Sequence, residues 1–270
     1  MQTEPIHERA LKTIYYGVLD RMAGRRGLSR FVPVGLEPFC DITKRLPHDG
    51  FRMVFDVGAN VGKMTRRFGR LLPDAQVHAF EPVGETYDTL RRQTARLPNV
   101  TCVQAALGAE EAKVDIVLQR HSAVNSLRHA GAPANGRPVE TIKVTTLNRY
   151  CEDRSIEHIN YLKIDAEGTD MDVLRGGRRM LDDGHVDFVQ AEVGFDADNP
   201  ALVPFSTCYN YFADRGYLLF GLYHQTLEWS GRPYLHFCDA VFVAERIAGR
   251  SAKPRAKAVE LEHQERRRTG

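Results

Sequence analysis

At 270 residues, 43% of them hydrophobic, the chain is long enough for one α/β domain with its own core and terminal additions. Its formal net charge is +2, but residues 246–270 hold eight basic and three acidic side chains, so the first 245 stand near −3, which excludes an electrostatic nucleic-acid binder. Cys40, Cys102, Cys151, Cys208 and Cys238 are scattered with no CxxC pair, excluding a disulfide framework and a zinc site and suiting a reducing cytoplasm, and no apolar run is long enough to span a bilayer.

From the N-terminus, Ile6, Ala10, Leu11, Ile14, Val18, Leu19 and Met22 recur at spacings of three and four, which predicts an amphipathic helix ended by Gly24. Such a stripe most simply covers a domain edge, with a membrane-surface or dimer-forming helix as the alternatives. Residues 27–50, punctuated by Pro33, Pro38 and Pro47, read as an irregular approach to the first strand.

The stretch VFDVGANVGKM at 54–64 joins an apolar strand to a glycine-spaced turn and then to a helix. Met53, Val54, Phe55 and Val57 have the character of a buried strand, and Asp56, Gly58, Asn60 and Gly62 fall at every second position. Met64, Phe68, Leu71 and Leu72 then recur at helical spacing. Glycines permit positive φ and close approach of a ligand to the backbone, while a helix N-terminus offers free N–H groups to an anion. GxNxG after an acid is not the GxGxxG of a dinucleotide site, so NAD and FAD fit poorly. QVHAFEP at 76–82 predicts a second strand ending in Glu81, whose carboxylate can accept both ribose hydroxyls of an adenosine and repel a 2′-phosphate. A capped turn or a solvated strand end explains either acid alone; together, one helix apart, they describe a nucleoside site.

Tyr87, Leu90 and Ala95 predict a helix broken by Pro98 and Asn99, and VTCVQAAL at 100–107 begins a predicted third βα repeat. VDIVL at 114–118 and ETIKVTTL at 140–147 predict strands around a polar loop that holds HSAVNSL and AGAPANGRP, either functional or a surface insertion. YLKIDAEGTDMDVLRGGRRML at 161–181 predicts a buried strand with Asp165 and Glu167 at its carboxyl end, then one helix from Asp170 to Leu181. Ligands of open parallel sheets bind outside the carboxyl ends of the strands, so these acids should face the same crevice as Asp56 and Glu81. VDFVQAEV at 186–193 brings Glu192 to that edge, and GYLLFGLY at 216–223 with FCDAVFVAE at 237–245 predicts an antiparallel pair. Residues 246–270, low in aromatics, predict a disordered basic tail with a short helix at most.

With VFDVGANVG, HAFEPV, YLKIDAEGTDMDVLRGG and FVQAEV in that order, the sequence from about Phe51 to Glu245 resembles the FkbM-type methyltransferases, a branch of the class I S-adenosylmethionine-dependent enzymes. The first two motifs carry only the cofactor class; the KIDAEG block narrows it to the family. The resemblance implies an α/β, Rossmann-like class I methyltransferase fold, a seven-stranded mostly parallel sheet with an antiparallel last strand, over residues 51–245 between flanks at 1–50 and 246–270. It implies that Asp56, Gly58, Asn60 and Gly62 hold the methionine portion of S-adenosylmethionine, that Glu81 holds the ribose, and that Ala105 and Ala106 flank the adenine. Asp165, Ala166 and Glu167 would border the methyl group and the acceptor, Asp165 touching the cofactor as well. Asp170 and Asn148 stand where the family commonly has Glu and Asp.

Methyl transfer to a hydroxyl requires an aligned acceptor, exclusion of water and a proton acceptor within hydrogen-bond reach. Glu167 is the first candidate and Asp165 the second, with His224 and His121 behind them; a helix cap or a surface histidine is the plainer role of each. The expectation by resemblance is an O-methyltransferase of the cytoplasm acting on a small-molecule or glycan hydroxyl, on a sugar, glycolipid or polyketide-type metabolite, with no nucleic-acid partner and no metal site assigned. A non-catalytic cofactor-binding module, disfavoured by the acids at 165 and 167, and a nicotinamide-dependent oxidoreductase, disfavoured by the loop spacing, are the alternatives.

Overall fold

The computed structural model of the protein describes residues 31–45, 50–118, 138–196, 199, 202–228 and 233–249. The helix expected at 6–22, the polar loop with His121 and the tail beyond 249 lie outside these residues.

Where the sequence predicts irregular chain, helix α1 (Pro38–Arg45) forms. Glu37 accepts a hydrogen bond from the Cys40 backbone N–H at 2.7 Å, and Pro38 occupies the first helical position, where its missing N–H costs nothing. The capped, proline-led start was present in the sequence and outweighs the turn character of the surrounding prolines. Strand β1 (Met53–Val57), helix α2 (Lys63–Leu71), strand β2 (Gln76–Phe80), helix α3 (Gly84–Thr94) and strand β3 (Val100–Val103) follow as the hydrophobic pattern predicts.

The expected third βα repeat does not form. After β3 the chain turns at Ala105 into β4 (Ala106–Leu107), and β5 (Ala112–Val117) and β6 (Val139–Thr145) join it in a separate three-stranded sheet of order β4-β6-β5. The alternating exposure along β5 and β6 is the reason: Ile116, Ile142 and Val144 supply one apolar face, enough to cover Val83 but not to sit inside a sheet covered on both sides. Helix α4 (Leu147–Asp153), capped by Thr146 accepting from the Arg149 backbone N–H at 3.0 Å, returns the chain to the main sheet.

Next come β7 (Ile159–Ile164), α5 (Asp170–Gly176), α6 (Arg178–Asp182), β8 (Val186–Gly194), β9 (Val203–Pro204), α7 (Phe205–Ala213), β10 (Tyr217–Glu228) and β11 (Tyr234–Ala244). Helix α7 is absent from the sequence reading because FSTCYNYFA is rich in strand-favouring residues; burial of Cys208 and Phe212, one turn apart, overrides that preference. The main sheet runs β10-β11-β8-β7-β1-β2-β3, with the two-residue β9 beside β8. From β3 to β8 the strands are parallel, and β11 is antiparallel to both its neighbours. This is the seven-stranded, mostly parallel path with an antiparallel last strand that the motifs imply.

Alternation along the strands sorts the residues between two faces. Phe55, Val57, Leu162, Ile164, Val189 and Ala191 build one core cluster, and Val54, Tyr161, Phe188, Val241 and Val243 the other. Helix α1 covers the second face, its Phe39 ring edge-on to Phe51 and Phe68 at 5.3 and 5.6 Å. Two residues further along each strand, this face changes from apolar to polar. Asp56, Lys163, Gln190 and then Asp165, Glu192 and Asp239 occupy the positions that continue the rows of Val54, Tyr161, Phe188 and Val241. At the other end of the domain, Arg246 hydrogen-bonds the Gly184 carbonyl and pairs with Asp187, and Ile247 packs on both clusters, so the start of the basic segment is docked where the sequence predicts disorder.

Candidate functional site

The turn after β1 is built from three left-handed residues, Gly58, Asn60 and Gly62, with φ of 75°, 48° and 83°. The Gly58 and Ala59 backbone N–H groups donate to the Phe80 carbonyl at 3.1 and 2.9 Å, which folds the turn over the end of β2, and Gly62 caps α2. Gly58 is required twice, for its φ and for space: a Cβ there would lie 1.8 Å from the Asp165 carbonyl oxygen. Gly58→Ala should therefore destabilise the fold by about 2 to 3 kcal/mol and displace the turn from the β7 loop. Chemical denaturation reads this directly, and an unchanged unfolding midpoint would mean that the two loops do not touch.

Asp56 lies fully buried beneath the turn, accepting from the Thr65 hydroxyl at 2.6 Å and pairing with Lys163 at 3.3 Å. It fastens the first turn of α2 to the sheet, so its effect on a ligand passes through the turn and through Lys163. Glu81 reaches back from the end of β2; its Oε2 accepts from the Asn60 N–H at 3.1 Å and its Oε1 from the Val83 N–H at 2.9 Å. Each oxygen retains a second lone pair for a ligand hydroxyl. Burial raises Glu81 to about 7, against the pull of those two backbone donors. Ala105 and Ala106 are buried just past the end of β3, Ala105 turning back on the Val103 carbonyl.

The acidic loop after β7 stands against this turn. Asp165 donates its backbone N–H to the Val57 carbonyl, and its carboxylate, 39% exposed, pairs with Lys163 at 3.1 Å. Burial alone would lower the Lys163 ammonium, but Asp165 and Asp56 on either side outweigh it and hold the lysine well above its ordinary value. Glu167 and Gly168 are both left-handed, with φ of 49° and 86°. Asp170, buried at the start of α5, receives the Ala166 and Gly168 N–H groups at 3.4 and 3.2 Å and so fixes the loop's shape. Burial, then the charges of Asp165 and Asp170, raises Glu167 to about 7.

His224 is not part of this loop. It sits on β10 with φ of 50°, its Nδ1 2.5 Å from Asp239, and β10 is separated from β7 by β8 and β11. Three strand spacings put it about 14 Å from β7, at the far wall of the crevice. Between them stands Glu192, which the sequence places on the same edge. It is paired across the ladder with Asp239 and borders β7 on its other side. The signal was a second acid at the carboxyl end of a buried strand, as for Asp165; Asp239, by contrast, lies in the middle of an antiparallel strand, and sequence spacing does not place it there. Among the described residues no group of three or more His, Cys, Asp and Glu side chains is arranged to hold a metal ion. The left-handed turn with no room for a side chain at Gly58, the Glu81 carboxylate one strand away and the acid edge beyond suit a nucleoside with a charged tail.

Comparison with known proteins agrees with this geometry. The family described as the methyltransferase FkbM domain matches residues 56–219. "Methyltransferase 1" of Beauveria bassiana is 33% identical over 163 residues, 53% of this chain and 63% of that protein. "2-O-methyltransferase NoeI" of Sinorhizobium fredii is 23% identical over 146 residues, 48% of this chain and 58% of the relative. "Hexuronic acid methyltransferase AglP" of Haloferax volcanii is 26% identical over 144 residues, 53% and 57% of the two chains. The matched stretch thus covers less than two thirds of each of these three relatives.

Proposed function

The chain belongs to the FkbM methyltransferase family, with the domain of an S-adenosylmethionine-dependent methyltransferase, and from that premise we propose that it transfers the methyl group to a hydroxyl of a sugar or sugar-bearing metabolite. The observation that carries the reading is the group of acids Asp165, Glu167 and Glu192 at one edge of the sheet, of which Asp165 packs its backbone directly against Gly58. Bound there, S-adenosylmethionine supplies an electrophilic methyl on a good leaving group. In this reading Gly58, Asn60 and Gly62 receive its methionine portion, Glu81 the ribose hydroxyls, and Ala105 and Ala106 the adenine face. Asp165 and Glu167 border the acceptor, Glu167 accepting the hydroxyl's hydrogen bond and then its proton. The carboxyls can also accept hydrogen bonds from neighbouring hydroxyls, which suits a polyol better than a nitrogen heterocycle. Two of the relatives carry the names of a 2-O-methyltransferase and a hexuronic acid methyltransferase, which supports a sugar acceptor. Among the described residues no helix is long and apolar enough to cross a membrane.

Incubation with S-adenosylmethionine and a panel of methyl glycosides, uronic acids and glycosylated metabolites should add one methyl to a hydroxyl of at least one sugar, read by mass spectrometry and located by fragmentation. Methylation confined to nitrogen or to polypeptide and nucleic-acid acceptors would refute the sugar-hydroxyl reading. Binding of the cofactor with no transfer to any acceptor class would favour the binding-module alternative.

A further inference from the structure

Glu192 ends β8 on the face that carries Asp56, Lys163 and Asp165. Asp239 of β11, held by His224 of β10, adjoins it on one side, and Lys163 and Asp165 of β7 on the other. The charges of Glu167 and Asp170 reach it from the loop after β7 and the start of α5. Among the described residues, six carboxyls thus share this edge with one ammonium, Lys163, which already bridges Asp56 and Asp165. Burial, reinforced by Asp165, Asp239, Glu167 and Asp170, raises Glu192 to about 8. So many carboxyls in a partly desolvated cluster do not all ionise unless another cation joins them. The cation in methyl transfer is the sulfonium, and it exists only until the methyl leaves.

We propose that Glu192 is the charge-compensating group of this site, protonated without the sulfonium, ionised beside it, and protonated again once transfer has left a neutral thioether. The proposal rests on the S-adenosylmethionine reading above. As the acceptor oxygen bonds to the methyl carbon, the carbon–sulfur bond breaks and its electron pair stays on sulfur. The hydroxyl proton, taken first by Glu167, remains in the cluster on Glu192. One positive charge is lost and one negative charge is neutralised, so the edge keeps the same total charge before and after the step. Glu192 thereby favours the cationic cofactor over its neutral product only to the extent that it can release a proton.

The test needs no acceptor. Isothermal titration of the full chain near neutral pH, in two buffers of different ionisation enthalpy, counts the protons exchanged on binding. S-adenosylmethionine should release roughly one proton more than S-adenosylhomocysteine. Both carry the same ribose, so the contribution of Glu81 cancels in the difference. Sinefungin, with an ammonium group in place of the sulfonium, should behave as the cofactor does. Glu192→Gln should reduce the difference to near zero while weakening S-adenosylmethionine by no more than about tenfold, and Glu167→Gln should leave most of it. Equal proton release for cofactor and product in the unmodified protein, or a difference that survives Glu192→Gln, overturns the proposal and leaves the cofactor assignment standing. Failure of all three ligands to bind overturns the cofactor assignment and this inference with it.

Discussion

Glu167→Gln should slow a single turnover by roughly 10² to 10⁴ while leaving cofactor affinity nearly intact. The amide keeps the shape and most hydrogen-bonding capacity of the side chain but removes the charge that, in the proposed mechanism, accepts the hydroxyl proton. Two features of Glu167 motivate the size of the effect. Its backbone is held at φ 49°, unfavourable for a residue with a side chain, just before Gly168, and Asp170 beneath the loop keeps it in place. Its carboxyl is raised to about 7, so near neutral pH it can both take and return a proton. If Glu167 only shaped the start of α5, the same change would cost about 1 kcal/mol of stability and leave the rate alone. An acceptor identified by the mass-shift panel, used at saturation in a single-turnover experiment, separates the two outcomes. Full activity would exclude Glu167 as the proton acceptor and transfer that role to Asp165 or Glu192, which lie on the same edge. His224, at the far wall, is the less suitable replacement.

Glu81→Ala is expected to weaken cofactor and product alike by about 2 to 4 kcal/mol, or roughly 30- to 700-fold. In the proposed site the variant would lose two charge-assisted hydrogen bonds to the ribose, and it leaves the Asn60 and Val83 N–H groups without their carboxylate. The pH dependence tests the same residue independently. In the protein Glu81 is raised to about 7, and ribose hydroxyls donate more strongly to its ionised form, so ribose binding there would lower its proton affinity. Affinity should accordingly rise as pH increases toward about 7 and level off above it. S-adenosylhomocysteine is the ligand to use, because without a sulfonium it leaves Glu192 out of the measurement. In Glu81→Ala that rise should vanish. Unchanged affinity in the variant would remove Glu81 from the ribose site, and a large fall in melting temperature would show that its main task is to hold the turn.

Much of the proposed cofactor side was legible in the chain because its signals are local. The need for left-handed backbone at Gly58 and Gly62, the buried strand before them and the acid one helix further on are all set within a few tens of residues. The same holds for Asp165 and Glu167, which a strand of known direction places at the edge where ligands bind. What local pattern misjudged was chain whose fate depends on distant partners. Helix α7 forms from strand-favouring residues because its Cys208 and Phe212 find a core to enter. Strands β5 and β6 leave the main sheet because each has one apolar face.

The sequence by itself determined the parallel strands of the main sheet and its antiparallel last strand, the glycine turn after β1 and the acids after β7. Only the tertiary structure decided what those acids do to one another. Lys163 lies between Asp56 and Asp165 because β1 and β7, separated by a hundred residues of chain, are adjacent and in register. Glu192 meets Asp239 because β11 inserts antiparallel between β8 and β10, which also sets His224 three strands away from β7. Register between distant strands is fixed by burying both faces of the whole sheet at once, and a shift of one residue would turn every one of these side chains to the opposite face. No stretch of sequence holds that information alone, and the proton affinities of Glu167 and Glu192, set by burial and by carboxylates from other strands, follow from it.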